Sequence, residues 1–171
     1  MKVLSCSIVS CVFVASASIS HAGGYVGASI GKADIDIPGF DAGSSISISG
    51  GYKLNKNFAL EASYLDLGES EDNIAPVWIV EIDGINLSAI GILPANGAID
   101  LFAKVGMYMW DVSVSEAGFG EFYSKDGADL SLGFGASMNL TEQFGLVFEY
   151  QKFDVDDEDV SNISLGARFN F

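Results

Sequence analysis

Basic residues are scarce in this sequence. Its 171 residues include 8 Lys and Arg against 23 Asp and Glu, a formal net charge of -15 at pH 7. A nucleic-acid partner is excluded, because a chain of this charge repels the phosphates on which such binding depends. Intrinsic disorder is excluded as well, since 49% of the residues are hydrophobic and only 18% are charged. The length fits one domain.

Cysteine and histidine are almost absent, and those present lie at the amino terminus. They are Cys6, Cys11 and His21. Residues 1–22 combine a basic residue, an apolar stretch and a small-x-Ala ending at Ala22, which predicts a signal peptide cleaved after that alanine. Two alternatives stay open for this segment: a membrane anchor, for which the apolar stretch is short, and a lipoprotein modified at Cys11.

Residues 23–171 are then expected to form a domain without thiol or imidazole groups. Disulfides, Ser-His and Cys-His nucleophile pairs and the usual zinc sites need these groups. We therefore predict no catalytic residue, no metal site and no cofactor. An enzyme that acts on lipid would need a hydroxyl or carboxylate catalyst, but the acids cluster in expected loops rather than beside a nucleophile.

Helical periodicity and long apolar runs are missing too, and strand-like alternation takes their place. Eight strands are predicted, at roughly 24–33, 44–53, 58–66, 80–92, 99–111, 127–138, 144–153 and 162–171. Short connections at 54–57, 93–98 and 139–143 alternate with longer ones at 34–43, 67–79, 112–126 and 154–161. The three prolines, Pro38, Pro76 and Pro94, fall in these connections. Eight strands joined by alternating short and longer connections predict an all-β fold, an eight-stranded antiparallel up-and-down transmembrane β-barrel.

Small side chains on alternate strand positions indicate which face meets lipid. Ser45, Ser47 and Ser49 alternate with Ile46 and Ile48. A water-facing surface would carry long polar side chains, whereas a narrow lumen requires small ones. The apolar face is therefore predicted to contact lipid, which disfavours a soluble ligand-binding barrel.

Four long charged side chains share the small-residue face: Glu61, Lys104, Glu149 and Arg168. Isolated ions are costly in a lumen with little water, so these groups are predicted to pair in a charge network that plugs the barrel. The alternative is that some of them lie near strand ends and are hydrated, since one sequence does not set the strand offsets.

The acids lie mostly in or beside the four longer connections, where they are expected to form hydrated loops. The run 154–159 lacks the spacing of an EF-hand loop, so no dedicated Ca²⁺ site is predicted.

Aromatic residues near both ends of the strands are expected to form interfacial girdles. These are Tyr52, Phe58, Phe144 and Phe171 beside the short turns, and Tyr64 and Tyr150 nearer the longer connections.

Three blocks of sequence resemble the OmpA-like transmembrane domain of Gram-negative outer membranes: 51–68, 101–106 and 140–150. The resemblance implies an outer-membrane barrel among lipid and lipopolysaccharide, with its termini in the periplasm and its long loops outside. It implies that Phe169 and Phe171 belong to a C-terminal signal read by the outer-membrane insertion machinery. It also implies that the peptidoglycan-binding domain of full-length OmpA is not part of this chain.

The function predicted from these observations is that of a non-enzymatic outer-membrane barrel, expected to be a monomer. It would contribute to envelope structure and to surface interactions through acidic loops. A small ion-conducting pore of low conductance is the alternative, because eight strands leave an interior that side chains nearly fill.

Overall fold

The structure, a computed structural model, describes residues 23–35, 43–71, 78–116, 120–155 and 158–171. The segment predicted as a signal peptide, with Ala22, lies outside these residues, as do Pro38 and Pro76. The strands are β1 (Gly23–Ile35), β2 (Gly43–Lys53), β3 (Phe58–Glu71), β4 (Trp78–Asn96), β5 (Ile99–Glu116), β6 (Gly120–Asn139), β7 (Phe144–Val155) and β8 (Glu158–Asn170). Within the described ranges, no helix has the length and apolarity to cross a membrane.

The eight strands form one closed antiparallel barrel. Each pairs with its neighbours in sequence, and β1 pairs with β8 to close the sheet. Closure pairs backbone groups that lipid could not satisfy. The predicted fold class is confirmed.

Side chains alternate between the two faces of the barrel, because successive residues of a strand point to opposite sides. The outward positions in the middle of the strands carry exposed apolar side chains, among them Ile48, Leu60, Leu87, Val105, Leu132 and Leu165. The inward positions are buried although many are polar, as at Asn86, Ser131 and Gln151. The apolar surface therefore faces outward, as expected of a barrel surrounded by lipid.

Three short turns join the strands at one end of the barrel, which we call the lower end. In each turn one side-chain oxygen accepts hydrogen bonds from two backbone N–H groups further along the chain. The oxygens belong to Asn55, Asn96 and Thr141. Such residues favour tight turns because they replace the lost strand pairing. Gly23 and Phe171 also lie at the lower end, since β1 begins and β8 finishes there.

The strands are longer than the sequence predicted, mainly at the opposite, upper end. Residues expected in connections belong to strands at 34–35, 43, 67–71, 78–79, 93–96, 112–116, 120–126, 139, 154–155 and 158–161. Pro94 accordingly lies inside β4 and not in a connection, next to a register shift between Pro94 and Asn96. The upper extensions were missed because acids and serines interrupt their apolar alternation, and pairing with a neighbouring strand supplies the order instead.

Three inward aromatic rings lie against glycines of the neighbouring strand. The pairs, directly opposite in register, are Tyr25 with Gly51, Phe102 with Gly135, and Trp110 with Gly127. A Cβ atom on Gly51 would overlap Cζ and the hydroxyl of Tyr25. The lumen therefore contains large aromatic rings in addition to the small residues and the four charges that the sequence analysis predicts there. Some of its glycines leave the space that large rings fill.

Replacing Gly51 with Ala should destabilise the barrel by about 1–3 kcal/mol, because the added methyl group overlaps the Tyr25 ring. Gly91→Ala is the matched control, since a Cβ atom there meets nothing within 4 Å. Urea unfolding in detergent micelles measures both variants. Equal unfolding free energies for the two variants would contradict the ring-on-glycine packing.

Candidate functional site

A buried cluster of charges lies in the middle of the lumen. The Lys104 ammonium on β5 donates hydrogen bonds to Glu61 Oε1 on β3, at 2.7 Å, and to Glu149 Oε2 on β7, at 2.9 Å. At most a tenth of each of the three side chains is exposed. The lysine thus bridges two carboxylates on strands that are not neighbours in the barrel. A buried ion needs such partners, because it has lost its water.

Arg168 is connected to this cluster through an aromatic ring. Its guanidinium carbon lies 4.4 Å from the centre of the Tyr25 ring, and the Tyr25 hydroxyl donates a 2.8 Å hydrogen bond to Glu61 Oε2. Arg168 makes no ion pair within 4 Å in the described part of the chain. The structure therefore brings three of the four predicted charges into contact and leaves the fourth stacked on Tyr25. The plugging role of the four stays a prediction.

The sequence analysis does not identify Tyr25 as a residue of the lumen, although the alternation of β1 indicates an inward position. Tyr25 shares the alternation of Gly27 and Ser29, which marks an inward position on β1. The aromatic residues that the sequence analysis predicts at the lipid interface do not include Tyr25, and no aromatic residue is predicted inside the barrel.

A second group of large side chains fills the upper half of the lumen. Tyr108 and Phe153 are fully buried, with ring centres 4.7 Å apart. Leu65, Leu67, Ile82, Trp110 and Val160 belong to the same hydrophobic cluster. We call this group the aromatic plug. The lumen above the charges is thus packed like a protein core.

Two small cavities lie inside the described part of the barrel. A cavity of about 30 Å³ is lined by Glu61, Lys104, Glu149 and several serines, and one of about 10 Å³ lies beside Tyr25 and Asp100. A cavity needs about 10–15 Å³ of such space to hold one water molecule. These cavities suit single water molecules rather than a solute.

The two C-terminal phenylalanines lie at the lower end, where Phe169 belongs to β8 and Phe171 directly follows that strand. The Phe169 ring is centred 5.0 Å from Phe144 and 6.5 Å from Phe171. The backbone N–H of Phe171 donates to the carbonyl of Gly24. The insertion signal predicted for Phe169 and Phe171 stays a prediction.

Four aspartates form a row across β3 to β6 on the outward face, above the apolar band. Asp66 lies opposite Asp83, Asp83 opposite Asp111, and Asp111 opposite Asp126. We call these four residues the acidic row. Like charges directly opposite each other destabilise a sheet, and the Tyr64 hydroxyl donates a 2.9 Å hydrogen bond to Asp83 within the row. Within the described ranges, no group of three or more potential metal ligands is arranged to hold an ion.

Replacing Lys104 with Met should lower the unfolding free energy by about 3–5 kcal/mol, because it leaves two buried carboxylates without their counterion. Replacing Glu61 and Glu149 with Gln in the same chain should restore part of the loss. Lys152→Met is the matched control, since its ion pair with Asp159 is half exposed. Urea midpoints measure all three variants, and an equal effect at Lys104 and Lys152 would contradict a structural charge cluster.

Solved structures of several outer-membrane proteins share this architecture. Neisserial surface protein A is 22% identical, with a TM-score of 0.75 over 89% of this chain and 100% of that chain. The N-terminal β-barrel domain of Pseudomonas aeruginosa OprF is 16% identical, with a TM-score of 0.62 over 88% and 99%. Ail of Yersinia pestis is 17% identical, with a TM-score of 0.60 over 88% and 97%. At identities this low, the TM-scores show a shared fold alone.

Comparison with curated proteins gives no match. A family model described as the outer membrane protein beta-barrel domain matches residues 4–171, which includes every strand of the barrel. The closed sheet, the outward apolar band and this match agree. The chain therefore belongs to the outer membrane protein beta-barrel domain family and is a protein of the outer membrane.

Proposed function

We propose that this protein is a non-enzymatic, monomeric barrel that contributes to envelope structure and interacts with other molecules through its acidic upper end. The observation that carries the proposal is the filled lumen. Lys104 bridges two carboxylates at its centre, and the aromatic plug occupies the space above them. A barrel filled in this way offers its surface for function rather than its interior.

The upper end faces the cell exterior in this proposal, as the resemblance to OmpA-like domains implies. The acidic row lies there, together with Asp154 and Asp159 on β7 and β8. Lipid and lipopolysaccharide surround the barrel, and the insertion machinery is its transient partner through Phe169 and Phe171. Because lipopolysaccharide is anionic, these acids are hydrated or share divalent cations with it.

The sign of the charge favours a basic partner. Ail of Yersinia pestis has been crystallised with the heparin analogue sucrose octasulfate, a polyanion. The acidic row of this chain would repel such a ligand. We therefore propose that this chain binds a basic partner rather than a polyanion.

A small pore is the second candidate. The polar walls of the 30 Å³ cavity favour it, since Ser47, Ser63 and the charge cluster could hold water along part of the lumen. A pore would require the aromatic plug to move, because the plug lies between this cavity and the upper end.

Planar-bilayer recording distinguishes the two candidates. Folded protein, checked by its gel mobility before and after boiling, should give no stable conductance. A double variant in which Tyr108 and Phe153 are replaced by Ala should conduct more than wild type, because it shortens the sealed part of the lumen. Stable wild-type conductance with an ion selectivity that changes in Glu61→Gln would overturn the closed barrel and favour the pore.

A further inference from the structure

An open groove crosses the outward face of the barrel on β2, β3 and β4. Its volume is about 670 Å³, and its lining includes Gly50, Ala62 and Ala89. Leu87 lies opposite Ala62 in register, and Leu60 lies opposite Ala89, so leucines flank the small residues. Gly50 continues the row of small residues on β2, where it lies opposite Ala62. The groove is thus a depression in a surface that is otherwise covered by bulky apolar side chains.

No contact inside the protein accounts for the glycine at position 50. A Cβ atom there would meet nothing within 4 Å, whereas one on Gly51 would overlap the Tyr25 ring. Around Gly50, β2 pairs with β1 and with β3 without a shift in register. A glycine inside a regular strand weakens the strand and often marks a place where a ligand approaches the backbone closely. The groove therefore offers room to a molecule outside the chain.

The groove lies in the lower half of the apolar band. Gly50 precedes Lys53, the last residue of β2, by three positions, and Ala62 follows Phe58, the first residue of β3, by four. Each strand residue advances the chain by about 3.3 Å, so both positions lie roughly 10–13 Å along the strands from the lower turns. The apolar band of such barrels is about 25 Å tall. The groove is therefore open to the leaflet next to the lower end.

An exposed cation lies below the groove. Lys56 belongs to the turn between β2 and β3, and within the described ranges it makes no ion pair. Tyr52 lines the groove on its lower side and is half exposed. The exposed acid Glu142 belongs to the turn between β6 and β7, on the far side of the barrel. A molecule with an apolar tail and an anionic head fits this arrangement.

We propose that the groove binds one acyl chain of an anionic phospholipid whose phosphate lies beside Lys56. The chain fills the space over Gly50, Ala62 and Ala89 and completes the lipid-facing surface around them. The flexible stem of Lys56 lets its ammonium meet the phosphate at the interface. The inference goes beyond the proposed surface role, and it uses the proposed orientation of the barrel only to assign this lipid to the periplasmic leaflet.

A second copy of this chain is a poorer occupant of the groove. The acidic row lies above it on the same strands, with Asp66 on β3 and Asp83 on β4. Two copies that met groove to groove, upright in one membrane, would bring their acidic rows together, and like charges at close range repel each other. An acyl chain is uncharged and meets no such repulsion.

Native mass spectrometry of the folded barrel counts the lipids that each molecule retains. The protein is titrated in detergent micelles with dioleoyl phosphatidylglycerol, which is anionic, and separately with dioleoyl phosphatidylcholine, which is zwitterionic. We expect one retained lipid per barrel. Phosphatidylglycerol should bind roughly two- to fivefold more tightly than phosphatidylcholine, the range for one exposed ion pair.

Matched variants test the groove and the cation separately. Ala62→Leu and Gly50→Leu should each lose the retained lipid, because the added side chain occupies the groove. Ala167→Leu is the control, since it adds the same side chain at an exposed outward position on β8. Lys56→Gln should remove the preference for phosphatidylglycerol, whereas Lys32→Gln, at an exposed position near the upper end of β1, should keep it.

A phosphatidylglycerol with a diazirine in its acyl chain locates the lipid in phosphatidylcholine nanodiscs. Crosslinks should concentrate on β2, β3 and β4 around the groove. Four results would overturn the proposal: crosslinks spread evenly around the barrel, a lipid retained by both groove variants, an unchanged lipid preference in Lys56→Gln, or a dimer that protects the groove without lipid. None of these results depends on which end of the barrel faces the cell exterior, so the proposed surface role is tested separately.

Discussion

Closure of eight strands into one sheet is the constraint on which the rest of the molecule depends. Lipid cannot satisfy a backbone hydrogen bond, so the membrane-spanning strands must pair around a complete circle. Eight strands enclose an interior only wide enough for side chains. Bulky apolar residues therefore occupy the outer face, and glycines, serines, inward rings and paired charges fill the inside. The charge cluster and the aromatic plug both follow from this narrow space.

Much of the barrel could be predicted from the sequence, because lipid-facing apolar residues and lumen-facing residues must alternate along each membrane-spanning strand. The eight strands, the outward face and the inward position of Glu61, Lys104 and Glu149 all follow from alternation. The sequence also contains the oxygens that organise the turns, at Asn55 and Asn96. Contacts inside the lumen are harder to predict, since they depend on the offset of each strand against its neighbours.

Three features needed the structure for this reason. The stacking of Arg168 on Tyr25 joins β1 to β8, and only the register of that pair places the two side chains together. The upper strand extensions lack continuous apolar alternation, so residues such as 112–116 read as loop in the sequence. The acidic row arises because the register places Asp83 on β4 opposite Asp111 on β5. The sequence of either strand alone does not show this pairing.

The two ends of the barrel differ in how far they reach. The lower end finishes in tight turns, whereas β3 to β6 continue as a paired sheet at the upper end. The interior is occupied by side chains that stabilise the fold, and the proposed function assigns recognition to the surface of this extension. That proposal separates stability from function, and acids that would be costly in the lumen are tolerated where water screens them.

Whether the lumen is sealed can be measured most directly by thiol accessibility, because residues 23–171 contain no cysteine of their own. The variant Ser63→Cys reports on the lumen, since Ser63 points inward and is 8% exposed. The variant Ser44→Cys, at an exposed position near the upper end of β2, gives the modification rate of an accessible thiol. In lipid vesicles a small charged methanethiosulfonate reagent should modify Ser44→Cys rapidly and leave Ser63→Cys unmodified. Rapid modification of both variants would contradict a closed barrel.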